Sequence, residues 1–505
     1  MGYVLVTGAT GLLGTYLVRD WLKAGVQLAL LVRPTRWASA RQRVESLVEH
    51  WEKQSGYALP RPVVLEGHLQ DGSLGLDEAT LRWAATNCEA VVHNAASLTF
   101  YSEGPDSEPW LSNLHGTKNL LEFARLAKIR KFHHVSTAYV CGKRRGLIRE
   151  NELDASQGHG NDYEISKFQA EEMVRGSDFL DNPTVYRPGI IFGDGQTGYT
   201  TTFHGFYVPL KLVSTLLNKI AGFGVPVEEI RTEIQQAGQR LLEVMNLNGS
   251  EHKNFVPVDW VSAAMVELFL DPKHHGKTYH LTPRNRTLVS TVQDVFQRVA
   301  LEYVKPSAAA EDGTDWTNFE KYFFDQMGVY RAYWQDDPEF DLTNTVSALP
   351  DLLCPEVDEA MLIRASRYAV EANFGWPRPA MVKPDFDVHQ HLGELLTEPT
   401  APKPGAAAKP AHLGLQVNGR GGGQWELVLE NGEIVSAQPG ISRRCTATYY
   451  LNSNTFEGMA ARNLSAAQAI GTGRVVIEGN GVPMDQLTQA LQRVARREFA
   501  LPAIS

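Results

Sequence analysis

Short apolar, β-branched runs alternate with longer stretches of helical period along the first 190 residues. The runs are Tyr3 to Thr7, Gln27 to Val32, Pro62 to Glu66, Ala90 to His93, Lys131 to Ser136 and Thr184 to Arg187. Strands buried on both faces read as continuous apolar segments, and helices of this length between them predict a parallel, doubly wound Rossmann-like α/β sheet. From about residue 195 to 385 the alternation weakens and aromatic residues accumulate, as in Trp316, Phe319, Tyr322, Phe323, Phe324, Tyr330, Tyr333 and Trp334. Such a stripe either packs as ordinary core or lines an apolar substrate pocket, and both readings stay open. The apolar stretch from Val208 to Val227 is interrupted by Lys211, Asn218 and Lys219. It predicts an amphipathic segment rather than a membrane span.

Residues 397–411, TEPTAPKPGAAAKPA, are rich in Pro, Ala and Lys and carry no apolar period. That is the composition of a solvated, semi-rigid linker. The chain therefore divides into a unit over 1–385, a linker over 386–411 and a second unit over 412–505. Strand-like runs at His412 to Val417, Trp425 to Glu430, Ile434 to Ala437, Thr446 to Leu451 and Arg474 to Glu478, with helical periods at Ser453 to Arg462 and Met484 to Arg496, give the second unit an α+β pattern. Phe386 to Leu396 offers a helix ahead of its first strand.

A chain of 505 residues exceeds what one hydrophobic core supports, in keeping with this division. Its 48 basic and 58 acidic side chains leave a net charge of -10, which argues against a nucleic-acid partner. Cys88, Cys141, Cys354 and Cys445 form no CxxC pair, so neither a zinc ribbon nor a disulfide framework is indicated. Cys141 lacks an adjacent base and reads as packing. His133-His134, His274-His275 and His389-Gln390-His391 have no ligand spacing, and no metal is expected. With no signal-peptide pattern at Met1 and no spanning segment, the expected compartment is cytoplasmic.

The first strand runs directly into Thr7-Gly8-Ala9-Thr10-Gly11-Leu12-Leu13-Gly14, and Tyr16, Leu17, Trp21 and Leu22 continue with helical period. Glycines here let the backbone approach a pyrophosphate, and the helix N-terminus offers N–H groups and partial positive charge. An acidic residue about 20 positions on would hold a free ribose 2'-hydroxyl. This chain instead has Val32-Arg33-Pro34-Thr35-Arg36, with Arg43 nearby. Arg33, Arg36 and Arg43 suit a 2'-phosphate and favour NADPH; the alternative is solvated surface charge.

Tyr163-Glu164-Ile165-Ser166-Lys167 puts a phenol and an ammonium four residues apart on one helical face. A phenol near pKa 10 is a poor proton shuttle, and the neighbouring cation is expected to lower it. Upstream, Val135-Ser136-Thr137-Ala138-Tyr139-Val140 ends a strand in hydroxyl residues. Such a hydroxyl can join Tyr163 in stabilising a substrate oxyanion.

On these motifs, residues 1 to about 285 resemble an extended short-chain dehydrogenase/reductase. The resemblance implies Thr137, Tyr163 and Lys167 as catalytic set, Tyr163 and Lys167 also touching the cofactor. It aligns Gly8, Gly11 and Gly14 with the glycine motif. Cofactor contacts are implied for Thr7, Thr10, Leu12 and Leu13 at the turn and for Asn94, Ala95 and Ala96 after His93. They are also implied for Asn113 on the fourth helix and for Arg187, Pro188, Gly189 and Ile190 near the nicotinamide. Where relatives carry Gly-Asp-Leu for the adenine contact, this chain has Gly67-His68-Leu69. His68 and Leu69 stand at that contact as a departure.

Within that family the run HNAASLTF, the phrase NFVPVDWV and the TYHLT segment most resemble the fatty-acyl and thioester reductase branch, the male-sterility type. This implies NADPH-dependent reduction of an acyl thioester, held on coenzyme A or a separate acyl carrier protein, to an aldehyde or alcohol. No adenylation or carrier domain is expected ahead of the reductase pattern. A homodimer through the helices bearing Asn113 and Tyr163 also belongs to the resemblance. Residues 412–498 resemble a sterol-carrier-protein domain, on Gly422 to Leu427, Glu430-Asn431-Gly432, Thr446 to Tyr450, Phe456 to Met459 and Ile470 to Gly479. This implies a lipid-binding module; an oligomerisation or purely structural module is the alternative. Competing functions are a hydroxysteroid or other secondary-alcohol dehydrogenase, and a non-catalytic lipid-binding carrier protein.

Overall fold

The structure, a computed structural model, describes residues 2–154, 156, 158–221, 231–232, 235–236, 238–239, 242–243, 245–304, 327–378, 380–396, 410–430, 432–479 and 481–498. Trp316, Phe319, Tyr322, Phe323 and Phe324 lie outside them.

Strands β1 (Tyr3–Thr7), β2 (Leu28–Val32), β3 (Val63–Glu66), β4 (Cys88–His93) and β5 (Lys131–Val135) join Thr184–Pro188 and Thr278–Leu281 in one parallel sheet. Its order is Thr278–Leu281, Thr184–Pro188, β5, β4, β1, β2, β3. Alternate residues of β1 explain the double winding. Val4 and Val6 pack with Leu13, Leu17, Val48 and Val261 from α1 (Leu12–Lys23), α2 (Ala40–Ser55) and the helix Val258–Leu270. Tyr3 and Leu5 face the other way, toward Ala84, Leu120 and Val174 from α3 (Glu78–Asn87), α4 (Gly116–Leu126) and α5 (Asp162–Arg175). The strand order reverses between β1 and β4, so the crevice at their carboxyl ends is where such a sheet receives a ligand.

The region read as 195–385 is interleaved with this sheet rather than following it. Ile190–Phe192 pairs with Phe255–Pro257, and Phe192, Phe206, Phe255, Phe296 and Leu362 form a second core beside it. The helix Val258–Leu270 and the strand Thr278–Leu281 then return to the parallel sheet. A strand of only four residues carries too little period to stand out in sequence.

The second unit is a five-stranded sheet in the order Glu433–Pro439, Gly423–Glu430, Ala411–Asn418, Ala447–Asn452, Val476–Gly479. Its apolar face carries Leu413, Leu415, Trp425, Leu427 and Tyr449 and is covered by Ser453–Ala460, Ala466–Gly471 and Met484–Arg496. One boundary needs correction: residues 386–396 of the span read as linker are folded. Val388, Leu392 and Leu395 are buried in this core, and Asp387 caps the short helix Val388–His391 through the amides of His389 and Gln390. Of the rest of the proposed linker, 397–409 lies outside the described residues and Ala411 already opens a strand of the second sheet.

The opposite face of this second sheet docks on the amino end of the first. The Tyr3 hydroxyl donates to Gln424 Oε1 at 2.6 Å and accepts from the Ile441 amide at 2.6 Å. Arg443 pairs with Glu89, Arg41 with Asp387 and Arg420 with Glu49. Strand β1 rises ~3.3 Å per residue, so this contact sits more than ~10 Å from the glycine turn at its other end. Tyr3→Phe deletes both hydroxyl bonds. Each is worth ~1 kcal/mol net, so hydrogen exchange at the Ile441 amide is expected to accelerate about five- to tenfold, read by mass spectrometry; unchanged protection would contradict the docking.

Candidate active site

The glycine turn is shaped by close backbone approach. Gly8 has φ +71°, and a Cβ there would lie 2.6 Å from the Ala95 nitrogen. A Cβ on Gly14 would lie 2.0 Å from the Gly8 carbonyl oxygen, so only glycine lets α1 start this near the turn. Gly11 caps α1 without a side chain, and no acidic residue occupies its first turn, which carries Leu12, Leu13 and Gly14. That N-terminus suits a pyrophosphate.

At the end of β2, Arg43 ties the two loops together: its guanidinium donates to the Arg33 carbonyl at 2.6 Å and to Thr10 Oγ1 at 2.7 Å. Burial and the nearby Arg33 charge push the Arg43 pKa down, the mark of two neighbouring cations that an anion would relieve. Arg36 stacks on Trp37 at 4.4 Å and points into the same exposed segment. Leu69 lies against Gly116, where a Cβ would come within 2.8 Å of it, and Asn119 holds the Leu69 carbonyl at 3.1 Å. His68 Nδ1 is buried without a hydrogen-bond partner and stands 3.9 Å from Asp71.

Opposite the turn, α5 presents Tyr163, Ser166 and Lys167 on its inner face. Asn161 caps the helix by accepting from the Glu164 amide at 2.9 Å. Thr137 caps the short turn after β5 by accepting from the Tyr139 amide, and its hydroxyl lies near enough to Tyr163 to favour the phenolate. The expected acidification of the phenol is not what this geometry produces. Burial pushes Tyr163 up to about 12, the Thr137 hydroxyl lowers it and Glu164 raises it. Lys167 instead donates to the Val135 carbonyl at 2.7 Å, and burial brings its own pKa down to about 8, Glu171 opposing. Desolvation dominates both groups. The phenol is thus a neutral acid over the working pH range, and the ammonium is the group that titrates.

Some predicted contacts fall elsewhere. Arg187 is 1% exposed and locked to Glu171 at 2.7 Å, so its charge braces the later turns of α5 rather than the crevice. Pro188 ends its strand. Gly189 approaches the Asn254 carbonyl, where a Cβ would lie at 2.4 Å, and the Ile190 amide donates to that carbonyl at 2.8 Å. Asn113 is buried, with its amide committed to the Ser97 backbone and Ser166, so it holds the loop after β4. Asn94 donates to the Gly8 carbonyl at 3.1 Å; Ala95 and Ala96 follow at the crevice edge. Cys141 is buried and pushed up to about 12, which leaves it an inert packing thiol.

Above Tyr163 an aromatic wall assembles. Phe100 meets Tyr163 at 5.9 Å, Tyr330 at 5.1 Å and Tyr333 at 5.5 Å between ring centres. Lys253 pins this segment through the carbonyls of Tyr333 and Gln335 and the Asp337 carboxylate. The accumulation of aromatic residues singles out Tyr330 and Tyr333, whereas Phe100 enters only as the last residue of the run HNAASLTF, with no role assigned to it.

A doubly wound sheet with a glycine turn, a buried Thr137 and Lys167 and a half-buried Tyr163 is the frame of an NAD(P)-dependent oxidoreductase. Residues 6–265 match the male sterility protein family, and the chain belongs to it. An aldehyde reductase, lnaA of Aspergillus flavus, is 28% identical over 413 residues, 73% of this chain and 36% of its own length. The nonribosomal peptide synthetase asaC of the same species is 25% identical over 295 residues, 56% of this chain and 26% of its own. The chain thus spans about a third or less of these curated relatives. Among solved structures, the terminal R domain of the myxalamid PKS-NRPS pathway superposes with TM-score 0.54 at 21% identity, covering 74% of this chain and 92% of that one. A thiolation-reductase di-domain from an archaeal non-ribosomal peptide synthetase gives 0.52 at 19%, covering 74% and 76%. These two likenesses establish the fold. No helix among the described residues is long and apolar enough to cross a membrane.

Gly14→Ala is expected to weaken dinucleotide binding about five- to 100-fold with the far-UV circular dichroism unchanged, because the added methyl forces ~1–3 kcal/mol of overpacking at the turn; native affinity by fluorescence titration would refute the assignment. The titrating group also sets the pH profile. Lys167 is charged below about 8, so the reduction rate should be flat on the acid side and fall as pH rises through that value. Lys167→Arg, a cation at every working pH, should move the falling limb upward; an unmoved limb would assign it to another group.

Proposed function

We propose that the chain is an NADPH-dependent reductase of an acyl thioester, with the acyl group on a carrier protein or coenzyme A and an aldehyde as first product. The reading is carried by one observation: the Tyr163 phenol, beside Thr137 and with its pKa pushed up, stands beneath the wall of Phe100, Tyr330 and Tyr333. Family membership, the relative named as an aldehyde reductase and the resemblance to the thioester reductase branch support it. The paired Arg33 and Arg43 charges support NADPH.

When bound, the reduced dinucleotide supplies a hydride. Thr137 and Tyr163 hold the thioester oxygen, and Tyr163 gives it a proton as negative charge develops. Lys167, anchored to Val135, would hold the ribose of the bound dinucleotide. Collapse of the resulting hemithioacetal breaks its carbon–sulfur bond and releases a thiol. The aromatic wall excludes water and lies along an apolar acyl chain. The C-terminal unit is assigned as a lipid-binding module on the resemblance of its sequence. Docked at the amino end of the first sheet, it acts as a fixed neighbour and not as a wall of the pocket.

Acyl-CoAs of graded length, incubated with NADPH, should release free thiol in step with NADPH consumption. Tyr163→Phe should lower the rate by about 10²- to 10⁴-fold, the usual worth of a positioned general acid. NADPH consumption on ketones or sterols without thiol release would favour the secondary-alcohol dehydrogenase instead.

A further inference from the structure

The imidazole of His93, at the end of β4, is 1% exposed and touches neither the crevice nor solvent, yet both ring nitrogens are hydrogen-bonded to threonines. Nδ1 lies 2.8 Å from Thr7 Oγ1, and Nε2 lies 2.9 Å from Thr117 Oγ1. The direction of every proton follows from the outer ends. Thr117 gives its single hydroxyl proton to the Asn113 main-chain carbonyl at 2.6 Å, and a carbonyl can only accept. Thr117 must therefore accept from His93 Nε2–H. A neutral ring then offers Nδ1 as acceptor, and Thr7 donates to it while its oxygen receives the Ala95 amide at 3.2 Å.

From Asn113 the bonding continues. Its side-chain oxygen receives the Ser97 amide at 2.7 Å, and its nitrogen donates to the Ser97 carbonyl at 3.1 Å and to Ser166 Oγ at 2.9 Å. Ser166 in turn donates to the carbonyl of Tyr163 at 2.8 Å. A single path of hydrogen bonds thus joins the last residue of β1, where the glycine turn begins, to the catalytic helix. It runs under the loop Asn94–Ser97 and through one histidine.

We propose that His93, held as the neutral Nε2–H tautomer, is a positioning residue that fixes the distance between the glycine turn and Tyr163. This deepens the reductase reading and rests on it for its kinetic consequence. Burial, reinforced by the Lys167 charge, brings the imidazole down to about 3, so the tautomer persists over the whole working range. A protonated ring would present Nδ1–H to Thr7, reversing that bond and leaving the threonine proton to find another acceptor.

Two measurements on the intact chain test this. With ¹⁵N-labelled histidine, His93 should show the neutral Nε2–H pattern, unchanged from pH 5 to 9; the Nδ1–H tautomer, or a titration within that range, overturns the proposal. This readout needs no substrate, so it fails or succeeds independently of the reductase reading. In kinetics, Thr117→Val and Ser166→Ala should each lower kcat about three- to tenfold, the worth of one hydrogen bond, with little change in KM for the acyl substrate. Because both cut the same path, the double variant should be no slower than the slower single one. Multiplying losses, or losses confined to KM, would reduce His93 to ordinary packing.

Discussion

A buried ammonium must find an oxygen, and the one Lys167 finds is the main-chain carbonyl of Val135. That bond pins α5 to the end of β5, and the rest of the site follows from it. Tyr163, one turn earlier on the same face, arrives beside Thr137, which begins the turn that β5 runs into. Ser166 reaches Asn113, and Glu171, a turn beyond Lys167, closes on Arg187 from the next strand. Four side chains spaced along one helical stripe are thus each tied to a different element. This fixes the helix against the sheet and its neighbouring elements at four points.

Desolvation decides the electrostatics of this arrangement. In sequence, a lysine four residues after a tyrosine suggests mutual attraction and an acidic phenol. In the structure the two groups answer to burial first, which keeps the phenol neutral and makes the amine easier to deprotonate. A neutral phenol is the useful form for a reduction, since the developing oxyanion needs a proton donor. Charge is instead concentrated across the crevice, where Arg33 and Arg43 stand together although the chain as a whole is acidic.

The parallel strands and the glycine turn could be read from the sequence because each is written in local spacing, whereas Thr137, Tyr163 and Lys167 are picked out with the help of a family resemblance. What could not be read depends on neighbours distant in the chain. Arg187 resembles a crevice residue until Glu171 is seen beneath it. Residues 386–396 count with the linker although their sequence also offers a helix, and only the packing of Val388 and Leu392 into the second core decides between the two. Phe100 and His93 carry no period at all; their roles come from what packs around them. The fate of the aromatic run between Trp316 and Phe324 lies outside the described residues.

The central claim is that hydride reaches the carbonyl carbon of a thioester under the Tyr163 proton donor. Single turnover with NADPH deuterated at the transferable position, followed by mass spectrometry of the product, tests it most directly. The account predicts one deuterium on the aldehyde carbon and one equivalent of free thiol. Deuterium on a secondary carbinol carbon with no thiol released, or label remaining wholly on the dinucleotide, would contradict it.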